Sequence, residues 1–206
     1  VFVNENGEPF GEEYTLVAVS DYVLSKTPGN TVSNFSSTKA LKLVTEKRRG
    51  NYYSASVGEV NVVAKMKEVG AVVGGEGNGG IIYPELHYGR DALVGIALFL
   101  SHLAQIDRPS SMLRAQYPNY FISKNKIELT SENNIDAILK TLKEKYAKHP
   151  INTEDGLKIE FNDDWIHLRK SNTEPIIRIF AEAESLVTAD HLANKIISDI
   201  KEIITD

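Results

Sequence analysis

The 206-residue chain has no cysteine, which excludes disulfides, zinc–thiolate sites and a Cys nucleophile. It has no polybasic run either. Its 23 Lys and Arg stand against 28 Asp and Glu, a formal net charge of −5. That balance argues against general nucleic-acid binding and against an anionic membrane surface, so neither partner is expected. The longest apolar stretch, Ala92–Leu100, falls far short of the roughly 20 residues that span a bilayer. No signal-peptide pattern, internal repeat or low-complexity segment occurs. The expectation is a soluble, cytoplasmic globular protein, of one large or two small domains at about 100–200 residues each. Val1 stands in place of methionine, and Val1-Phe2-Val3 reads as a strand without a start signal. Both raise the expectation of further chain upstream.

Between Glu12 and Gly89 short strands and helices alternate. Leu16, Val19 and Val23 mark one helix, Ala40, Leu41 and Val44 a second, and Val60, Val63, Ala64 and Met66 a third. Strands are predicted at Thr31–Asn34, Tyr52–Ser54, Ala71–Val73 and Ile81–Tyr83. Asp91 suits the N-cap of a helix over Ala92–Leu103, which is apolar almost all round and therefore expected to be buried. This rhythm predicts a mostly parallel sheet with helices on its faces. Residues 107–119 hold two prolines and several polar residues and read as a linker. Beyond them come a strand at 121–129, and a helix that Ser131 can cap, with Ile135, Ile138, Leu139, Leu142 and Tyr146 on one face. Three strands in a row follow, then a last helix through Leu192, Ile196, Ile200 and Ile203. That order predicts an antiparallel sheet with two helices on one face.

Two segments could carry chemistry. Gly74-Gly75-Glu76-Gly77-Asn78-Gly79-Gly80 follows a strand and holds five glycines in seven residues. No Gly-Lys-Ser/Thr follows, which excludes a Walker A loop, and a strand rather than a helix comes next, which excludes the dinucleotide fingerprint. The loop offers one carboxylate, Glu76, and one amide, Asn78, on open backbone. It reads either as a site for adjacent sugar hydroxyls or as a flexible turn. The second segment is Arg169-Lys170-Ser171-Asn172-Thr173-Glu174-Pro175, between two strands. A guanidinium with Ser, Asn and Thr donors suits a phosphate; the alternative is a solvated hairpin loop. The five histidines are scattered without metal-ligand spacing, and no metal site is expected.

At these loops the chain resembles the α-D-phosphohexomutases, the family of phosphoglucomutase, phosphomannomutase and phosphoglucosamine mutase. Gly75-Glu76-Gly77-Asn78-Gly79 with Ile81-Ile82-Tyr83-Pro84 is similar to the sugar-specificity loop of that family's third domain. Gly89-Arg90-Asp91-Ala92 resembles the helix start after it, and Ser56-Val57-Gly58-Glu59 another active-site loop. Arg169 through Arg178 is similar to the phosphate-binding loop of the fourth domain. The resemblance implies a Rossmann-like mixed α/β domain over residues 1–108, of which 1–9 would be the tail of domain II. A linker over 109–119 and a smaller TATA-binding-protein-like α+β domain over 120–206 would follow. It implies sugar contacts from Glu76, Asn78 and Gly58, and phosphate contacts from Arg169, Ser171, Asn172 and Thr173.

Absent are the family's phosphoserine loop and its Asp-x-Asp-x-Asp-Arg magnesium loop. The chain is thus similar to the C-terminal half of a mutase, without catalytic or metal-binding residues of its own. The expected partners are a hexose phosphate and domains I and II of the same chain. The expected cofactors of the full-length enzyme are Mg2+ and hexose 1,6-bisphosphate. The function implied is interconversion of hexose 1- and 6-phosphates through a phosphoserine enzyme, with this part inactive alone. A phosphoglucosamine mutase, or a non-catalytic sugar-phosphate-binding module, is the alternative. Departures include Gly80 and Glu59, which stand where some members have histidine, Asn78 where many have serine, and Lys170 where Pro or Ala is common.

Overall fold

A computed structural model describes residues 1–129, 134–171 and 174–205. The chain divides into two compact units, Val1–Asn119 and Tyr120–Asp206.

The first unit is built on a five-stranded sheet of order β2-β1-β3-β4-β5, where β1 is Asn30–Asn34, β2 Tyr52–Ala55, β3 Ala71–Glu76, β4 Gly80–Tyr83 and β5 His87–Arg90. β1 runs parallel to both β2 and β3, while β3, β4 and β5 form an antiparallel meander. The sheet is therefore mixed. Alternation along β1 sorts the layers. Val32 joins Val62 and Met66 of α3 (Glu59–Val69) in a buried cluster. Its neighbour Thr31 turns the other way and bonds Thr45 of α2 (Ala40–Lys47) at 2.7 Å. The α3 stripe expected through Val60 is rotated: Val60 is 81% exposed and Val62 fully buried.

The two apolar helices differ in burial. α1 (Glu12–Lys26) is buried on almost every side. α4 (Ala92–Ile106), expected to be so, buries only Gly95, Phe99 and His102. Leu93, Ile96 and Leu100 are exposed, at 78%, 43% and 54%. α1 packs against α2, α4 and β3, whereas α4 rests on α1 and β4 along one face. Asp91 does cap α4, accepting from Leu93 N and Val94 N at 2.8 and 3.0 Å.

Residues 1–10 pack onto this unit, Phe2 stacking on Phe99 at 3.9 Å and Phe10 meeting it edge-on. The segment expected as a linker is also part of it. α5 (Ser110–Arg114) and the turn after it bury Leu113 and Tyr117, and Tyr14 Oη donates to Pro118 O at 2.8 Å. Proline and polar residues here start a short helix rather than release the chain.

The second unit has a fully antiparallel sheet of order β6-β10-β9-β8-β7. Here β6 is Phe121–Glu128, β7 Ile151–Asn152, β8 Leu157–Glu160, β9 Trp165–Lys170 and β10 Ile176–Ala183. α6 (Ile135–Lys145) and α7 (Leu186–Thr205) cover one face, with Ile138, Leu142, Ile196 and Ile200 against Ile166, Leu168, Ile177 and Ile179. Ser131 lies outside the described residues; Asn134 caps α6, accepting from Ala137 N at 3.1 Å.

Candidate functional site

In the first unit the parallel strands β1, β2 and β3 all end on one side, where open α/β sheets present their ligand-binding residues. Asn34 ends β1, Gly58 follows β2, and Glu76 ends β3. These three meet. Glu76 Oε1 accepts from Asn34 Nδ2 at 2.9 Å and from Gly58 N at 3.1 Å. Glu76 Oε2 faces Arg90 Nη1 at 3.5 Å. Glu76 is thus not displayed on open loop backbone as the sequence leads one to expect: it is 6% exposed and held from three sides.

The loop after it is a three-residue hairpin connection, Glu76 pairing with Gly80 across it. Gly79 takes φ +80°, the left-handed conformation that closes such loops and suits glycine. Gly77 N donates to Ser37 Oγ at 3.1 Å, and Ser37 Oγ donates to Asn34 Oδ1 at 3.0 Å. The loop base is therefore tied to β1. Asn78 stands exposed at the tip, its Oδ1 accepting from Gly80 N at 3.0 Å. Beside it an open depression of about 490 Å³ is lined by Glu59, Asn78, Gly79, Gly80, Arg90 and Asp91 among others. Arg90 N and Nε donate to Glu59 Oε1 and Oε2 at 3.0 and 2.8 Å. Those bonds, the backbone one first, hold the Glu59 carboxyl below its usual range. Asn78 and Arg90 bring amide and guanidinium donors to that depression, and Arg90 Nη1 links it to Glu76 Oε2.

Asn34 and Arg90 as site groups are not legible from the sequence. No local motif marks Asn34, and Arg90 falls only in the helix-start segment Gly89–Ala92; strand order brings both to Glu76.

In the second unit Arg169 lies on β9 and pairs in register with Arg178 of β10. Cross-strand partners share a face, so both guanidinium groups rise from the side of the sheet away from the helices. Lys126 of β6 is the register partner on Arg178's other side. Each arginine has an ion-pair partner: Asp155 is 3.8 Å from Arg169 Nε and Glu174 is 3.8 Å from Arg178 Nη2. Lys170 registers with Ile177, on the helix-covered side. Ser171 is buried, its N–H donating to Ile176 O at 3.0 Å. Asn172 and Thr173 lie outside the described residues. Below Arg169, burial pushes the His167 imidazole down to about 4, and His167 Nε2 lies 2.6 Å from Asp155 O. A neutral ring there adds no charge of its own beside Arg169. Arg178, the last residue of the segment that the sequence singles out, is the second guanidinium there.

Comparison with known proteins matches both units. Residues 11–120 match the family model described as phosphoglucomutase/phosphomannomutase, alpha/beta/alpha domain III. Residues 126–198 match the C-terminal domain of the same family. A probable phosphoglucosamine mutase of Methanopyrus kandleri is 32% identical over all of this chain and 46% of its own length. A phosphoglucomutase/phosphomannomutase of Thermococcus kodakarensis is 34% identical over 90% of this chain and 41% of its own. The crystal structure of a phosphoglucomutase/phosphomannomutase family protein of Burkholderia thailandensis is 25% identical. It superposes with a TM-score of 0.81 over 97% of this chain and 43% of that one. The chain spans about half the length of the curated relatives it matches.

Proposed function

The chain belongs to the phosphoglucomutase/phosphomannomutase family, and on that premise we propose that it supplies the substrate-holding part of a hexose-phosphate mutase. The reaction is interconversion of hexose 1-phosphate and hexose 6-phosphate through a phosphoserine and a hexose 1,6-bisphosphate. The first unit reads sugar hydroxyls with Glu76, Asn78 and the Gly58 backbone. The second holds the phosphate that is not reacting, with Arg169, Ser171, Asn172 and Thr173, and with Arg178 beside them.

The observation that carries this reading is the Arg169–Arg178 register pair. Two arginines in register on one face of the sheet, each in an ion pair of 3.8 Å, offer positive charge to an outside anion. Phosphoryl transfer is largely a matter of positioning and charge neutralisation, which is what these residues offer. Among the described residues magnesium finds no fitting seat: no three His, Asp or Glu side chains come together in a metal-binding group. No step is assigned to it, and the phosphoryl donor and metal belong to the remaining half of the family's length.

The test is calorimetric titration of the 206-residue chain with glucose 6-phosphate and with inorganic phosphate. Both should bind, and Arg169→Ala should weaken both by about ten- to a hundredfold, at 1.4 kcal/mol per decade. Unchanged affinity in Arg169→Ala would overturn the assignment.

A further inference from the structure

Arg90 reaches the Glu76 carboxylate by an indirect route. It sits on the edge strand β5, in register with Ile82 of β4. Its aliphatic stem crosses Gly80, so closely that a Cβ at position 80 would lie 2.7 Å from Arg90 Cδ and 3.3 Å from Cγ. Gly80 in turn is the cross-strand partner of Glu76. The bare glycine is therefore the channel through which the guanidinium arrives.

Once there, it ties two elements together. Its Nε and backbone N–H hold Glu59, the first residue of α3, and its Nη1 faces Glu76. The two oxygens of Glu76 are left in different conditions. Oε1 has two donors, at 2.9 and 3.1 Å; Oε2 has only the long 3.5 Å approach from Arg90, whose side chain lines the depression.

We propose that Arg90 is a positioning and specificity-determining residue of the sugar site, holding Glu76 Oε2 free for one hydroxyl of a hexose while its own Nη donors meet the oxygen of the adjacent hydroxyl. A carboxylate and a guanidinium side by side match a vicinal diol, in which one hydroxyl donates and its neighbour accepts. The fork matters: Nε is committed to Glu59 while Nη1 serves Glu76, a division that a lysine ammonium cannot make. The proposal rests on the sugar-reading role given above to Glu76, and the test separates the two.

The 206-residue chain is titrated with glucose 6-phosphate and with inorganic phosphate, following amide NMR shifts of Gly75–Gly80 and of Arg169–Ser171. Arg90→Gln should weaken the sugar-phosphate response of the glycine loop by about tenfold and leave the phosphate response at Arg169 as it was. Arg90→Lys should recover only part of it. Gly80→Val, which keeps the arginine but blocks its path, should reproduce Arg90→Gln, and it carries the test if Arg90→Gln does not fold. A loop response in Arg90→Gln equal to the parent's would overturn the role of Arg90 and leave that of Glu76 standing. A loop that never responds to the sugar phosphate, while Arg169 responds to phosphate, would overturn both.

Discussion

Arg169 and Arg178 face each other across β9 and β10 on the open side of the sheet. Like charges directly opposite one another destabilise a strand pair, by roughly 0.2–1 kcal/mol. The pair is thus a cost to the fold that the proposed phosphate would relieve. Arg178→Gln should raise the stability of the second unit slightly, by about 0.5 kcal/mol in urea unfolding, and lower its affinity for inorganic phosphate about tenfold. Losing both stability and affinity, or neither, would count against this account.

Glu76 has a structural duty beside its proposed functional one. Removing its carboxylate leaves Asn34 Nδ2 and Gly58 N without their acceptor. A buried polar group left unmade costs about 1–3 kcal/mol. Glu76→Ala should therefore lower the thermal midpoint of the first unit as well as sugar affinity, and Glu76→Gln should restore much of the midpoint. A midpoint unmoved by Glu76→Ala would show that these bonds do not hold the loop.

His167 gives the second unit a pH dependence. Its folded value is about 4, against an ordinary value of 6.5, because burial disfavours the imidazolium. A depressed value means the unfolded chain binds the proton more readily. The stability is full above pH 6.5 and is lost as pH falls toward 4, by about 2–3 kcal/mol. Urea unfolding at pH 7 and pH 4.5 should show this slope in the parent, and a much flatter one in His167→Gln.

Much of this was legible in the sequence and some was not, for identifiable reasons. The Asp91 cap and the α6 and α7 stripes were visible because each is local, set by spacing within one element. The burial of α4 departs from expectation because hydropathy records composition and not what lies opposite. Leu93, Ile96 and Leu100 are as apolar as Leu16 and Val19, yet nothing in the first unit covers them. β5 escaped notice because His87-Tyr88-Gly89-Arg90 has no apolar alternation and is held by pairing with β4. Arg90 and Arg178 lie inside segments that the sequence marks, but their partners do not show there: register brings one to Glu76 and the other to Arg169.

The 206-residue chain should show only background mutase turnover. No phosphoserine-type loop or Asp-x-Asp-x-Asp occurs in its sequence, and no cluster of three or more His, Asp or Glu forms among its described residues. A coupled assay with hexose 1-phosphate, hexose 1,6-bisphosphate and magnesium measures this directly. Steady conversion to the 6-phosphate by the purified chain would contradict the division of labour proposed here.

The central claim is that one unit reads the sugar and the other holds the phosphate. The most direct measurement is amide shift mapping of the 206-residue chain with inorganic phosphate and then with glucose 6-phosphate. The account predicts that both ligands shift Arg169–Ser171 and Ile176–Arg178, and that the sugar phosphate alone also shifts Gly58 and Gly75–Gly80. Shifts confined to other surfaces, or a glycine loop that answers equally to bare phosphate, would contradict it.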